Sequence, residues 1–164
     1  MTVAPRARTV IRMVMAGIVV AACLLPGSAR AQSPDAAAAR AAVERFLDVL
    51  GNRQLEALPP LFAAKATMAI ARQRDGQWSY TTQTAEDWLA GLKAQTPGTR
   101  FREPLTNVTV QVEDGHLAFV RADFTVVIDG QVRSHGVDYF TLVKDGAAWK
   151  IVNGAYTSKS GPPK

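Results

Sequence analysis

Three Asp-Gly pairs, Asp114-Gly115, Asp129-Gly130 and Asp145-Gly146, punctuate the segment from Thr106 to Thr157 between alternating apolar runs. An Asp-Gly pair in that setting signals a β-hairpin, because a type I′ turn needs positive φ at both central residues. The segment therefore reads as four strands in an antiparallel meander. Tight turns fix register, and register decides which side chains share a face.

Two-residue loops at Asp129-Gly130 and Asp114-Gly115 predict Arg121 opposite Asp138, Phe119 opposite Phe140, and Val110 opposite Phe119. A four-residue loop from Asp145 to Ala148 adds Leu142 opposite Ile151 and Phe140 opposite Asn153. One face then collects Val108, Val110, Val112, Leu117, Phe119, Phe140, Leu142, Trp149 and Ile151, a core face. The same face receives Arg121, Asp123 and Asp138, with Thr106, Thr125, Ser134 and Asn153 near them. Charges on a core face need a partner or a purpose. The other face is mixed. Its Val137, Tyr139, Val152 and Tyr156 form a patch suited to homodimerisation.

The first residues are not part of the fold. Arg6, Arg8 and Arg12 precede an apolar run from Met13 to Leu25, Pro26-Gly27 breaks it, and Ala29-Arg30-Ala31 offers a cleavage site before Gln32. This is the pattern of a signal peptide, residues 1–31, and the run is shorter than the ~20 residues of a membrane span. Export to the periplasm or the extracellular space follows. A competing reading takes Val20-Ala21-Ala22-Cys23 as a lipobox, with Cys23 lipidated and the protein anchored to a membrane. Cys23 is the only cysteine in the 164 residues, so disulfide and thiol chemistry are not expected after cleavage. The formal charge of +5 is mostly a leader effect, since four of the 19 basic residues and none of the 14 acidic ones precede Gln32. No basic stripe interleaved with aromatics points to nucleic acid.

Residues 32–164 read as one domain. Ser33-Pro34 opens a helix as N-cap and first helical residue, Val43, Phe46, Leu47 and Leu50 form its apolar stripe, and Gly51 is the expected C′ residue. A shorter helix around Gln54 to Phe62 is disturbed by Pro59-Pro60. Thr67–Arg74 and Gln77–Thr81 form a hairpin about Asp75-Gly76. Thr84-Ala85-Glu86-Asp87 resembles a capping box and opens a helix carrying Trp88, Leu89 and Leu92. Phe101 to Glu113 is a strand region interrupted at Pro104.

Helices followed by a long meander make an α+β pattern, with N-terminal helices packed on a strongly curved antiparallel sheet that forms a cone with a pocket. The stretch Gly136-Val137-Asp138-Tyr139-Phe140-Thr141-Leu142-Val143-Lys144-Asp145-Gly146, followed by Trp149-Lys150-Ile151-Val152-Asn153, resembles the closing strands of the nuclear transport factor 2-like superfamily. It is most similar to the branch named for lumazine binding. The first helix and the Leu58 to Phe62 segment fit the same plan. The resemblance implies fold more than function, because the superfamily includes steroid isomerases, scytalone dehydratase, polyketide cyclases and non-catalytic binding domains.

The candidate ligand-binding residues are Arg121, Asp123, Asp138 and Asn153, with Trp78 and Tyr80 at the rim. Arg121 would hold an anionic or carbonyl group, and Asp123 or Asp138 would accept a proton. The competing reading makes Arg121 and Asp138 a cross-strand ion pair that fixes register. His135 and Asp138 differ by an odd number of positions, so they point to opposite faces and form no relay with Ser134. Two lone histidines do not make up a zinc ligand set, and no glycine-rich phosphate loop is present, so no cofactor is expected. The first functional expectation is a small-molecule-binding domain for a partly apolar ligand. One alternative is a metal-independent isomerase, dehydratase or cyclase. Another is a protein-interaction module with a vestigial pocket.

Overall fold

A computed structural model describes residues 33–95 and 98–163. The leader, Cys23 and the cleavage site at Ala31–Gln32 lie outside the described residues. Helix α1 spans Pro34–Gly51, and the Ser33 hydroxyl accepts the Ala36 N–H at 3.2 Å, as its sequence position predicts. Its buried stripe includes Ala39, Val43, Phe46, Leu47 and Leu50. Asp35 in its first turn meets Lys144 at 2.5 Å and ties the helix to the sheet. Gly51 is the last helical residue and not a positive-φ cap; a Cβ there would lie 2.5 Å from the Phe101 carbonyl oxygen, so close approach requires glycine. The expected second helix is two 3₁₀ turns, Leu55–Ala57 and Pro59–Leu61, because consecutive prolines remove backbone donors. Helix α2, Ala85–Ala94, begins with the predicted box: the Thr84 hydroxyl accepts from the Asp87 N–H at 3.0 Å and donates to the Asp87 carboxylate at 2.7 Å.

The strands are β1 (Phe62–Arg74), β2 (Gln77–Thr84), β3 (Leu105–Glu113), β4 (Leu117–Ile128), β5 (Gln131–Asp145) and β6 (Ala148–Ser160). They form one six-stranded sheet in the order β2-β1-β6-β5-β4-β3. The sheet is mixed, since β1 runs parallel to β6 and every other pairing is antiparallel. Both helices pack on one face. Phe46 of α1 stands at the centre, with ring centroids 5.4 Å from Phe62, 6.0 Å from Trp88 and 5.7 Å from Phe140.

The turns depart from the predicted register by one residue on β4. Asp114-Gly115 takes positive φ at both residues, yet His116 joins the loop, so Glu113 pairs with Leu117 and Val110 with Val120. Asp129-Gly130 is the predicted two-residue loop, and Ile128 pairs with Gln131. A bulge then absorbs Arg133, and from Val126↔Ser134 onward Arg121 faces Tyr139 and Ala122 faces Asp138. The Arg133 carbonyl accepts the Gly161 N–H at 2.9 Å, so the bulge strands no acceptor. On β6 the Asp145–Ala148 turn is tighter than expected, with Asp145 paired to Ala148, and Leu142 still meets Ile151. A second bulge at Val152 then places Gly154 opposite Phe140 and Tyr156 opposite Asp138.

A one-residue slip exchanges faces. The buried set on β4 is Ala118, Val120, Ala122 and Phe124, while Phe119 is 43% exposed. Arg121 and Asp123 are therefore on the outer face, and only Asp138 of the three expected charges faces the core. The reason is energetic. Two unpaired ions in the core cost several kcal/mol each, whereas a bulge costs one ladder pairing.

Candidate functional site

The register lays inward residues in rungs across the sheet. One rung is Met68, Gly154, Phe140 and Val120; the next is Ile70, Tyr156, Asp138 and Ala122. The rung beyond begins with Arg72 and Ser158. Above these rungs, α1, α2 and the segment at Phe101–Glu103 enclose a cavity of about 230 Å³. Its inner part is apolar, with Phe46, Leu50, Met68, Trp88 and Phe140. Its polar groups are Asp138, Glu103, Tyr156, Arg53, Arg72, Ser134 and Ser158.

Asp138 is 3% exposed, and its Oδ2 has no hydrogen-bond partner among the described residues. Burial raises its pKa to about 7, against a partial lowering by a hydrogen bond with Glu103. Glu103 itself is raised well above the ordinary carboxyl range, by burial first and by the Asp138 charge second. The two carboxyls share a hydrogen bond, and burial favours the neutral form of each. Tyr156 sits beside them. Burial raises its phenol, and the Trp88 side chain hydrogen-bonds to it. The indole N–H can only donate, so the Tyr156 O–H stays available for another acceptor. Arg53 is occupied, its Nη2 donating to the Leu92 carbonyl at 2.9 Å and the Gln95 carbonyl at 3.1 Å.

The other candidates lie elsewhere. Arg121 meets Asp123 at 2.5 Å on the outer face, and Asn107 donates to Asp123 at 2.7 Å. The Asn107 bond first, and Arg121 second, hold the Asp123 carboxyl below its ordinary range, while Asp123 raises Arg121. The predicted Arg121–Asp138 pair does not form. Asn153 is turned off the cavity by the Val152 bulge and donates to the Thr67 hydroxyl at 2.9 Å. Trp78 and Tyr80 are on the sheet-edge strand β2, 51% and 87% exposed, and do not line the cavity. Lys159 lies 5.6 Å from the Trp78 ring centre. Thr106 is exposed on β3 opposite Asp123. Ser134 does line the cavity. His135 pairs with Thr125 and meets the Gly161 carbonyl at 2.8 Å, away from the cavity. Tyr156, expected on the outer patch, points inward.

Glu103, Arg72, Arg53 and Tyr156 are cavity residues that sequence reasoning missed. Arg72 was accessible to it, since Met68, Ile70 and Arg72 keep one parity on β1. Glu103 sits in irregular chain between the Arg102–Val127 bridge and Pro104, where no period assigns a face. Among the described residues no group of three or more His, Cys, Asp or Glu forms a metal cluster, and no helix is long and apolar enough to cross a membrane.

Residues 34–157 match the family model described as putative lumazine-binding. No curated protein matches the chain. Solved structures are similar in fold. One is the β subunit of a putative aromatic-ring-hydroxylating dioxygenase from Novosphingobium aromaticivorans, 13% identical with a TM-score of 0.62 over 79% of this chain and 92% of that one. A nuclear transport factor 2-like protein with a cystatin-like fold from the same organism is 19% identical, with a TM-score of 0.59 over 75% of this chain and 80% of that one. A putative scytalone dehydratase, also from that organism, is 15% identical, with a TM-score of 0.56 over 77% and 91%. Helices seated on a mixed six-stranded sheet around a cavity, together with a family match over most of its length, place the chain: it belongs to the putative lumazine-binding family, with a fold like that of nuclear transport factor 2-like proteins.

Proposed function

We propose that this protein is an exported binding domain for a small, partly apolar molecule held in the cavity at Asp138. The observation that carries this is Asp138 Oδ2, a buried carboxylate oxygen with no partner among the described residues, on the wall of an aromatic-lined cavity. An unpaired buried polar atom costs about 1–3 kcal/mol, and a ligand donor group removes that cost on binding. At about 230 Å³ the cavity falls below the roughly 300 Å³ at which drug-sized pockets begin, so the ligand has one or two rings. Export rests on the Met13–Leu25 run and the Ala29-Arg30-Ala31 site. A homodimer through the outer face rests on Phe119 and Tyr139, large rings exposed there.

Native mass spectrometry of the full chain, expressed for export, tests all three. The expected spectrum shows a start at Gln32, a dimer and a small-molecule adduct that Asp138→Leu removes. A lipid mass on Cys23 overturns the soluble form, and a monomer at micromolar concentration overturns the dimer. An empty cavity that takes up no small aromatic probe overturns binding and favours an interaction module.

One observation favours a second reading, proton-transfer catalysis of the isomerase, dehydratase or cyclase type. Asp138 titrates near 7, where a carboxylate is an effective general base, and the Tyr156 O–H beside it can donate to a developing oxyanion. Asp123 has no part in this reading, because it lies outside the cavity. Turnover lost in Asp138→Asn with ligand affinity retained is the result expected of an enzyme.

A further inference from the structure

The cavity has a second polar end that the Asp138 reading does not use. Arg72 lies on the inward side of β1, its Cα paired with Ser158, and both line the cavity with Ser134. Its guanidinium makes no hydrogen bond or ion pair with any described residue. Its charge reaches the Tyr156 phenol. Same-face neighbours along a strand are about 7 Å apart, so Arg72 stands one rung from Tyr156 on the neighbouring strand β6, with Asp138 one strand further on β5. A five-donor cation without an acceptor, opposite the Ser158 hydroxyl at the edge of an aromatic chamber, is an anion site. Arg53, the other cation there, already donates to two carbonyls.

We propose that Arg72, with Ser134 and Ser158, anchors the carboxylate of a small aromatic or alicyclic acid whose ring fills the cavity and whose far edge meets Asp138. The inference rests on the binding reading above and adds the ligand's class. Planar guanidinium matches a carboxylate through two parallel N–H donors, and a lysine in its place offers charge without that fork. The arrangement also sets the ligand's direction. The acid group stays with Arg72, because at the other end it would meet the Asp138 carboxylate. Tyr156, between the two ends, contacts the ring.

Isothermal titration with two isosteric probes tests the subsite, 2-naphthoate and the uncharged 2-acetylnaphthalene. The full chain is expected to bind 2-naphthoate at least tenfold more tightly than the ketone. Arg72→Met is expected to abolish that preference by weakening 2-naphthoate at least tenfold, with a thermal melt that overlays the wild type's showing that the variant is folded. Arg72→Lys is expected to retain part of it. If both probes bind equally to the wild type, or if Arg72→Met keeps the preference, the anion subsite is overturned and the cavity reading stands. If neither probe binds, the cavity reading falls and the subsite falls with it.

Discussion

Asp138 concentrates the electrostatics of the molecule in one side chain. Its ordinary value of 3.8 is raised to about 7 by burial, so the folded chain holds a proton there that the unfolded chain releases near pH 4. A raised folded pKa gives stability that is complete below the unfolded pKa and is lost as pH rises through the folded one. Between pH 4 and pH 8 the wild type should therefore lose stability relative to Asp138→Asn, by on the order of 2–4 kcal/mol across the window. Thermal melts of both proteins at several pH values check this, and a pH-independent difference would show an unperturbed carboxyl. Arg121 and Asp123 provide the contrast. They pair with each other on the outer face, open to solvent, and exposed pairs contribute little. The double variant Arg121→Met, Asp123→Asn should melt with the wild type and keep any bound ligand. A cooperative loss of fold would place the pair in the core after all.

At the scale of elements, the decisive features are the two bulges and the glycines beside them. The Arg133 bulge turns Ala118, Val120, Ala122 and Phe124 inward, and the Val152 bulge does the same for Gly154 and Tyr156. Neighbouring strands then approach closely. A Cβ at Gly136 would stand 1.9 Å from the Thr157 carbonyl oxygen and 2.9 Å from Phe124, so any side chain there forces β5 and β6 apart. Gly136→Ala should lower stability by about 1–3 kcal/mol in urea unfolding, as overpacking does. It should also disturb the cavity, since Phe124 and Asp138 flank it. The alternation on β4 was itself legible: its even-numbered residues are all apolar, whereas its odd-numbered ones include Arg121 and Asp123. Turn counting from Asp114-Gly115 and Asp129-Gly130 pointed the other way, because Asp-Gly identifies a hairpin without fixing whether His116 joins the loop or Arg133 bulges. Burial outweighs ideal turn length, so the strand's own pattern is the better guide to its face.

Over the whole molecule, the sheet and helices share one core whose centre is Phe46, in ring contact with Phe62, Trp88 and Phe140 from three different elements. Phe46→Ala should cost about 3–5 kcal/mol of global stability, measured as a shift in the denaturation midpoint at unchanged slope. Trp149 shows how far packing governs this core, since its indole N–H is buried without a partner among the described residues while its ring takes Lys144 at 5.7 Å. The sequence by itself determined the local and periodic features. The Ser33 cap, the Thr84–Asp87 box, the apolar stripe of α1, the inward faces of β3 and β5 and the α+β class all follow from spacings of a few residues. It also carried the family, through Gly136 to Asn153. What only the tertiary structure decided is which polar groups meet. Arg72 on β1, Glu103 in an irregular segment, Asp138 on β5 and Tyr156 beyond a bulge are brought together by long-range strand pairing, and a single extra residue in one strand exchanges the faces of everything after it. Hydrophobic spacing is local and survives such slips. A binding site built from distant strands does not, because its geometry is the sum of every turn and bulge between its residues.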